Sequence, residues 1–285
     1  MDIRIITSDT LNEQHMHDVR SIQEACGIFD RTSTAILPDA HLHASPDTPI
    51  LLTAYERSAP VGFLHVFHPT ADTLEIYAAV LPDYRRLGLF NRLLGTLRPS
   101  LEHIECSPLF ICNRSSQSGS AVLMHLGYHI ERTEYLMELD ESVFPEQILH
   151  PGCTLERSGI GDLPILSELN SLCFEEKRDE SESFLLRILS DENRRQYILY
   201  DLGEPVGLGS AVQEIDSVGL FGLGIVPRRR NQGLGRSLLQ LLVRELAAFK
   251  LPIRLEVDSL NPPALHLYRK MGFREITSYD YYTMS

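Results

Sequence analysis

The sequence predicts a mixed α/β fold, an α+β sheet with helices on both faces, built twice in succession. Three observations carry this expectation. The chain matches itself without gaps when displaced by 145 residues. Short apolar runs alternate with amphipathic helical segments in the same order in both halves. An apolar run at 218–226 breaks at Pro227 into a turn of arginines and glycines, which opens into a leucine-rich helix.

The internal match covers about residues 51–128. Tyr55 falls on Tyr200, Pro60-Val61-Gly62 on Pro205-Val206-Gly207, Pro82 on Pro227 and Arg85 on Arg230. Gly88-Leu89 falls on Gly233-Leu234, the helix leucines 93, 94, 97 and 101 on 238, 239, 242 and 246, and Gly127 on Gly272. Such agreement in turn residues and helix-face leucines marks a duplication.

In chain order, residues 2–7 read as a strand and 11–28 as a helix. A long polar connection follows over 30–48, and strands over 49–55, 60–67 and 73–81. Helix 88–104, strand 108–112, helix 116–126 and a pair of strands near 128–139 complete the first half. The acidic, proline-bearing stretch 140–152 is the expected linker, between domains at 1–140 and 153–285. The second half repeats the order: strand 153–158, helices 162–175 and 181–190, strands 196–201, 206–215 and 217–226, and helix 234–249. Strand 253–258, helix 262–271 and strands 273–277 and 280–284 close it. Each half is thus expected to run β-α-α-β-β-β-α-β-α-β-β.

Composition bounds the function. Hydrophobic residues make up 43% and charged residues 23%, as in a globular chain. No apolar run reaches bilayer length, and MDIRIITSDT lacks the basic-then-apolar pattern of a secretion signal, so a cytoplasmic protein without membrane partners is expected. The net charge of −13 repels nucleic acid and favours cationic partners such as amines. The five cysteines are odd in number and form no CxxC pair, so they read as small hydrophobes in a reducing compartment, with no metal framework. His41 and His43 would suit a metal only on a strand, and their polar surroundings predict a loop.

The stretch Leu223–Leu241 organises the rest. A strand that breaks into a glycine loop and opens into a helix presents first-turn N–H groups with no intrahelical partners, at the positive end of the helix dipole. Gly233 and Gly235 carry no Cβ, so a phosphate can approach the backbone, and Arg230 and its neighbours add positive charge at the mouth. No Lys-Ser or Lys-Thr follows the glycines, which excludes a triphosphate P-loop. The spacing, and the absence of a ribose-binding acid, exclude the dinucleotide fingerprint.

Ile225-Val226-Pro227 followed by Arg230-Asn231-Gln232-Gly233-Leu234-Gly235 resembles the cofactor motif of the GNAT family of acyl-CoA-dependent N-acyltransferases, (Arg/Gln)-x-x-Gly-x-(Gly/Ala). The later run Leu255-Glu256-Val257 through Asn261, Ala264, Leu267-Tyr268 and Gly272-Phe273 fits the same family in order and spacing. The resemblance implies a tandem GNAT protein whose C-terminal copy is intact. It implies acetyl-CoA as cosubstrate, held by Leu223, Ile225, Arg230, Asn231, Gln232, Gly233, Leu234, Gly235, Arg236, Asn261 and Tyr268. The acceptor it implies is a primary amine on a small molecule or a peptide N-terminus.

Transfer to an amine expels a thiolate, and a tyrosine hydroxyl can protonate it; Tyr268 occupies the family's place for that acid. The amine must also lose a proton. Glu256 resembles the Leu-Glu-Val glutamate of ribosomal-protein alanine N-acetyltransferases and is the expected base, with a water relay through Glu214 or Asp216 as the alternative. The fourth-strand glutamate of many members is replaced by Gly219. The family's oxyanion donor maps to the Ile225 N–H. Gly222 and Gly224 inside a strand mark a bulge or a close approach by the acyl arm, with room for longer acyl groups. Tyr279, Tyr281 and Tyr282 fall on the expected last hairpin, where members often touch the acceptor; the alternative for them is a place in the core.

In the first copy Phe90 matches Gly235, Leu123 matches Tyr268, Ser116 matches Asn261 and Ile111 matches Glu256. That copy is expected to be degenerate. A different class, a non-catalytic acyl-CoA-binding regulatory or interaction module, is opposed by the intact Asn261, Tyr268 and Glu256.

Overall fold

A computed structural model of the chain describes residues 2–32, 42–43, 48–70, 73–104, 106–145 and 150–284. His41, most of the polar connection 30–48 and part of the linker 140–152 lie outside the described residues. The elements run β1 (Ile3–Ser8), α1 (Glu13–Asp30), β2 (Leu51–Glu56), β3 (Ala59–Thr70), β4 (Thr73–Val80), α2 (Leu89–Leu101), β5 (Leu109–Asn113), α3 (Gln117–His125) and β6 (His129–Leu139). They continue β7 (Cys153–Ser158), α4 (Leu163–Phe174), α5 (Arg178–Ser190), β8 (Arg194–Asp201), β9 (Glu204–Gln213), β10 (Val218–Ile225), α6 (Leu234–Leu246), β11 (Ile253–Asp258), α7 (Pro262–Lys270) and β12 (Phe273–Thr283).

The compact units are not the two halves of the sequence. Unit 1 comprises residues 1–134 with 277–285, and unit 2 residues 135–276. In unit 1 the strands lie in the order β1-β2-β3-β4-β5-β12, with β12 contributing residues 277–283, and in unit 2 in the order β6-β11-β10-β9-β8-β7, with β6 contributing residues 135–139. The strand beside β5 is therefore the last one of the chain, and the strand beside β11 is the last one of the first half. The expected pairs of closing strands are single strands, β6 and β12. No Gly or Pro interrupts Thr277-Ser278-Tyr279, and β12 needs no turn because its later residues pair with β5, Tyr279 opposite Asn113 and Tyr282 opposite Phe110.

In unit 2 the core sits between the sheet and helices that carry regular apolar faces. Leu234, Leu238, Leu239, Leu242, Val243 and Leu246 of α6 are all buried, the 3.6-residue stripe the sequence shows. Six consecutive residues of β9, 206–211, are buried, as befits a strand covered on both faces. The turn between β8 and β9 uses Leu202 and Gly203 at φ 52° and 84°, the doubly left-handed pair of a tight hairpin. Among the described residues no helix is long and apolar enough to cross a membrane.

Unit 1 buries a histidine. His65 on β3 is enclosed at 3% exposure, and desolvation, with His43 a smaller cause, holds its imidazole down from 6.5 to about 3. Between these two values the unfolded chain binds a proton that the folded chain does not. The stability is complete above about pH 6.5 and is lost as the pH falls toward 3. The urea midpoint of the wild type is expected to drop more steeply between pH 7 and pH 4.5 than that of His65→Gln. Equal slopes would remove the assignment.

Candidate active site

Two parallel strands that part from each other create the site in unit 2. β10 pairs with β11 at Val218, Gly219 and Leu220, opposite Ile253, Arg254 and Leu255, and the pairing ends there. On its other side β10 stays paired with β9 to Ile225, but with a register shift between Phe221 and Gly224. The shift is a bulge, and Gly222 in it has φ 59°, a left-handed conformation in which glycine meets no Cβ penalty. A bulge adds local twist and bend. It falls where β10 leaves β11, so Leu223 and Ile225 lie on the stretch of β10 that has no β11 partner in the register.

The bulge expected from Gly222 and Gly224 is thus present, but the two glycines do different work. A Cβ on Gly224 would lie 2.7 Å from Cys173 Cβ and 3.0 Å from a Phe174 ring atom. That space is filled by the end of α4, so the expectation that Gly224 makes room for a longer acyl group is corrected: its smallness lets α4 approach the sheet.

Beyond Ile225 the chain turns through Pro227–Arg229, extends at Arg230, and takes φ 62° at Asn231 and 83° at Gly233, the residue before α6. No side chain caps the N-terminus of α6, and no acid lies in its first turn. Leu234 is buried at 1%, pinning the helix start to the core, while Arg236 is exposed on the first turn. A Cβ on Gly235 would stand 3.5 Å from Leu267 and 3.9 Å from Ile225. The end of β10, the start of α6 and helix α7 therefore meet at this residue.

The arginines depart from expectation. Arg230 donates from Nε to the Ile225 carbonyl at 3.0 Å and from a terminal nitrogen to the Cys173 carbonyl at 2.9 Å. It ties the strand end to the last turn of α4 and does not simply add charge at the mouth. Arg228 pairs with Glu204, and Arg229 pairs with Glu204 at 2.9 Å and with Asp201. Gln232 accepts from Arg229 at 3.1 Å and donates to the Arg228 carbonyl at 3.2 Å. What remains for an anion is the backbone of 231–236 and the helix dipole, with Arg236 nearby.

Tyr268 on α7 is 8% exposed and packs in the core with Leu255, Val257 and Phe273, whose ring is 6.1 Å away. Burial pushes its hydroxyl up to about 12, so it stays a proton donor at neutral pH. Glu256 is exposed on β11, and strand alternation puts it on the face opposite Leu255 and Val257. Arg254 on that face pairs with Glu138 at 2.9 Å and Asp216 at 3.6 Å. Glu214 accepts from Ser217 at 2.6 Å. Asn261 caps α7, its Oδ1 accepting from the Ala264 N–H at 3.2 Å, a structural task the cofactor expectation did not include.

Tyr279, Tyr281 and Tyr282, for which the sequence allows either acceptor contact or a place in the core, are buried residues of unit 1. Tyr281 donates to Glu134 at 2.9 Å, and Tyr282 donates to Ser120 at 2.8 Å. Their short-range pattern gave no sign of which sheet they would join.

Unit 1 has the same loop. Arg86 and Gly88 take φ 61° and 75°, and Arg85 donates to the Val80 carbonyl at 2.9 Å and to both oxygens of Asp30 at 2.7 Å. The cleft differs. Tyr77 replaces Gly222, β4 pairs with β3 without a shift from Gly62 to Phe67, and its pairing with β5 runs on to Tyr77. Phe90, in the place of Gly235, packs 6.2 Å from Phe110.

Residues 163–273 match the family described as Acetyltransferase (GNAT) family. The match lies within the second half of the chain, and the duplicated fold is shared with a tandem GNAT protein. The chain is similar to a mycothiol acetyltransferase of Acidothermus cellulolyticus, 38% identical over 77 residues, which is 25% of this chain and 24% of that protein. It is also similar to the [ribosomal protein bS18]-alanine N-acetyltransferase of Escherichia coli, 39% identical over 64 residues, 22% of this chain and 43% of that one. These matches span less than half of the curated relatives. Over nearly its whole length the chain shares the fold of a GCN5-related N-acetyltransferase from Sphaerobacter thermophilus, with TM-score 0.77, 16% identity, and 98% and 94% of the two chains covered. A tandem GNAT protein from the clavulanic acid biosynthesis pathway gives TM-score 0.72 at 14% identity, covering 99% and 98%.

The Arg230 tie predicts a measurable cost. A lysine cannot span both carbonyls with the same fork, so Arg230→Lys should lower unfolding stability without ligand by about 1–2 kcal/mol. Unchanged stability together with weakened acetyl-CoA binding would return Arg230 to the role of a direct ligand contact.

Proposed function

We propose that the second copy, residues 153–285, is an N-acetyltransferase that moves an acetyl group from acetyl-CoA to a primary amine, and that the first copy, residues 1–140, is a non-catalytic relative. The observation that carries this is the parting of β10 from β11 at the Gly222 bulge, beside an uncapped helix N-terminus. An extended acyl-pantetheine arm suits a strand edge left without a partner, because it can borrow the backbone hydrogen bonds a neighbouring strand would make. A diphosphate suits the amides of Asn231 to Arg236. In this reading Leu223 and Ile225 hold the arm, Gln232, Gly233, Leu234 and Gly235 the diphosphate, and Asn261 and Tyr268 the far end near the sulfur.

The chemistry then follows from the two sides of β11. The amine nitrogen bonds to the acyl carbon while the carbon–sulfur bond breaks. The electron pair leaves on sulfur, and Tyr268 gives it a proton. Glu256, on the opposite face of the strand, takes the proton the nitrogen must lose, and solvent carries it back to the tyrosinate. The Ile225 N–H is the oxyanion donor in this scheme. Nothing in the scheme requires a metal. The acceptor class is a small-molecule amine or a peptide N-terminus, to which the net charge of −13 presents an attractive field. We place the protein in the cytoplasm, where the five free cysteines would stay reduced.

Release of free thiol from acetyl-CoA with a panel of primary amines tests the reading. Tight binding with no release on any amine would favour the alternative, a cofactor-sensing module. Two variants test the site. Gly235→Phe, which imports the residue of the first copy, should weaken acetyl-CoA by 100-fold or more, about 2.7 kcal/mol, with an unchanged circular dichroism spectrum. Wild-type affinity in that variant would displace the cofactor from this loop. Tyr268→Phe should lower kcat by about 10²-fold with little change in cofactor affinity. Equal turnover in the two proteins would end its assignment as acid.

A further inference from the structure

The geometry points to a transition-metal site in unit 2, formed by His150, Cys153 and Asp201, with zinc the ion its donors suit best. His150-Pro151-Gly152-Cys153 makes a tight turn in which the Cys153 N–H donates to the His150 carbonyl at 3.2 Å and Gly152 takes φ 91°. The turn brings the imidazole and the thiol to one side, an H-x-x-C arrangement in which two ligands chelate from four residues. The third ligand comes from the neighbouring strand: Cys153 lies directly opposite Asp201 in the antiparallel pairing of β7 and β8. One donor atom from each of the three residues lies within 4.8 Å of the other two.

The polar atoms are left in an expensive state without an ion. Asp201 is 3% exposed, and one of its carboxylate oxygens, Oδ1, has no hydrogen-bond partner; the His150 Nδ1 has none either. These two atoms stand 3.4 Å apart, close enough for attraction, without the geometry of a hydrogen bond. A buried oxygen and an imidazole nitrogen without partners cost free energy, and a cation between them removes both costs at once. The other carboxylate oxygen, Oδ2, accepts from Arg229, which fixes the orientation in which Oδ1 faces the histidine.

The donor set selects the ion. One thiolate, one imidazole and one carboxylate suit zinc, whose tetrahedral shell would be completed by water. His150 is 36% exposed on its side chain, which leaves an entry path. The site is not part of the proposed transfer chemistry. Its reach is structural: Asp201 holds Arg229, and Arg229 holds Gln232 in the loop before α6. An ion here braces the start of β7 against β8 and, through Arg229, against that loop.

The test uses the full chain after chelator treatment, with Zn²⁺ and Co²⁺ alone as probes. Competition against a chromophoric chelator should give one zinc equivalent that is weakened at least 100-fold in both His150→Asn and Cys153→Ser. Co²⁺ should produce a thiolate-to-cobalt charge-transfer band in the wild type that is lost in Cys153→Ser. Both substitutions are at partly exposed positions, and zinc should raise the Tm of the wild type but of neither variant. Zinc affinity unchanged in both variants, or no thiolate–cobalt band in the wild type, would overturn the site.

Discussion

The candidate site depends on the point along β10 at which its pairing with β11 ends. Three paired positions hold the strands together, and after Leu220 and Leu255 the hydrogen-bonding partnership stops. The separation is enforced from the other side, where β10 must stay in register with β9 to Ile225 while carrying one extra residue at the bulge. An extra residue bends a strand, and Gly222 supplies the left-handed backbone that lets the bend form without strain. The open end is then fixed by Arg230, which joins the Ile225 carbonyl to the last turn of α4. A strand edge without a partner and a helix N-terminus without a cap are two unsatisfied sets of backbone groups, and the fold places them next to each other.

The two copies separate scaffold from site. The arginine tie, the left-handed pair before the helix and the glycine ahead of α2 and α6 are present in both. These features shape the loop, and a loop alone makes no cleft. In unit 1 the register shift lies at the hairpin tip, between Phe67 and Thr70, and the three positions that β4 shares with β5 end at Tyr77, the residue that matches Gly222. Phe90, in the first turn of α2, packs against Phe110. Two large side chains, Tyr77 and Phe90, stand at positions where the second copy has Gly222 and Gly235.

The duplication, the order of elements, the α6 stripe and the bulge were legible in the residues, because each is set by neighbours within a few positions. The exchange of closing strands was not. Nothing local to β6 or β12 distinguishes pairing within a half from pairing across halves; only the register of β12 on β5 settles it. That is why the sequence does not say which sheet Tyr279, Tyr281 and Tyr282 join. Arg228, Arg229 and Arg230 failed for a related reason. Their charge was visible, but Glu204, Asp201 and the Cys173 carbonyl that consume it lie 24 to 57 residues away. A comparable separation along the chain hides the juxtaposition of Asp201 with His150 and Cys153, which cysteine number and spacing do not reveal.

The sequence by itself determined the class of fold, its repetition, and which copy retains the residues an acyl transfer would use. Hydrophobic period, turn chemistry and motif spacing are short-range properties, and a chain states them directly. Tertiary structure alone decided where β10 and β11 part, which strand completes each sheet, and which arginines and carboxylates neutralise one another. Those outcomes depend on contacts between residues far apart in the chain, whose free energies are settled only when the whole sheet has formed.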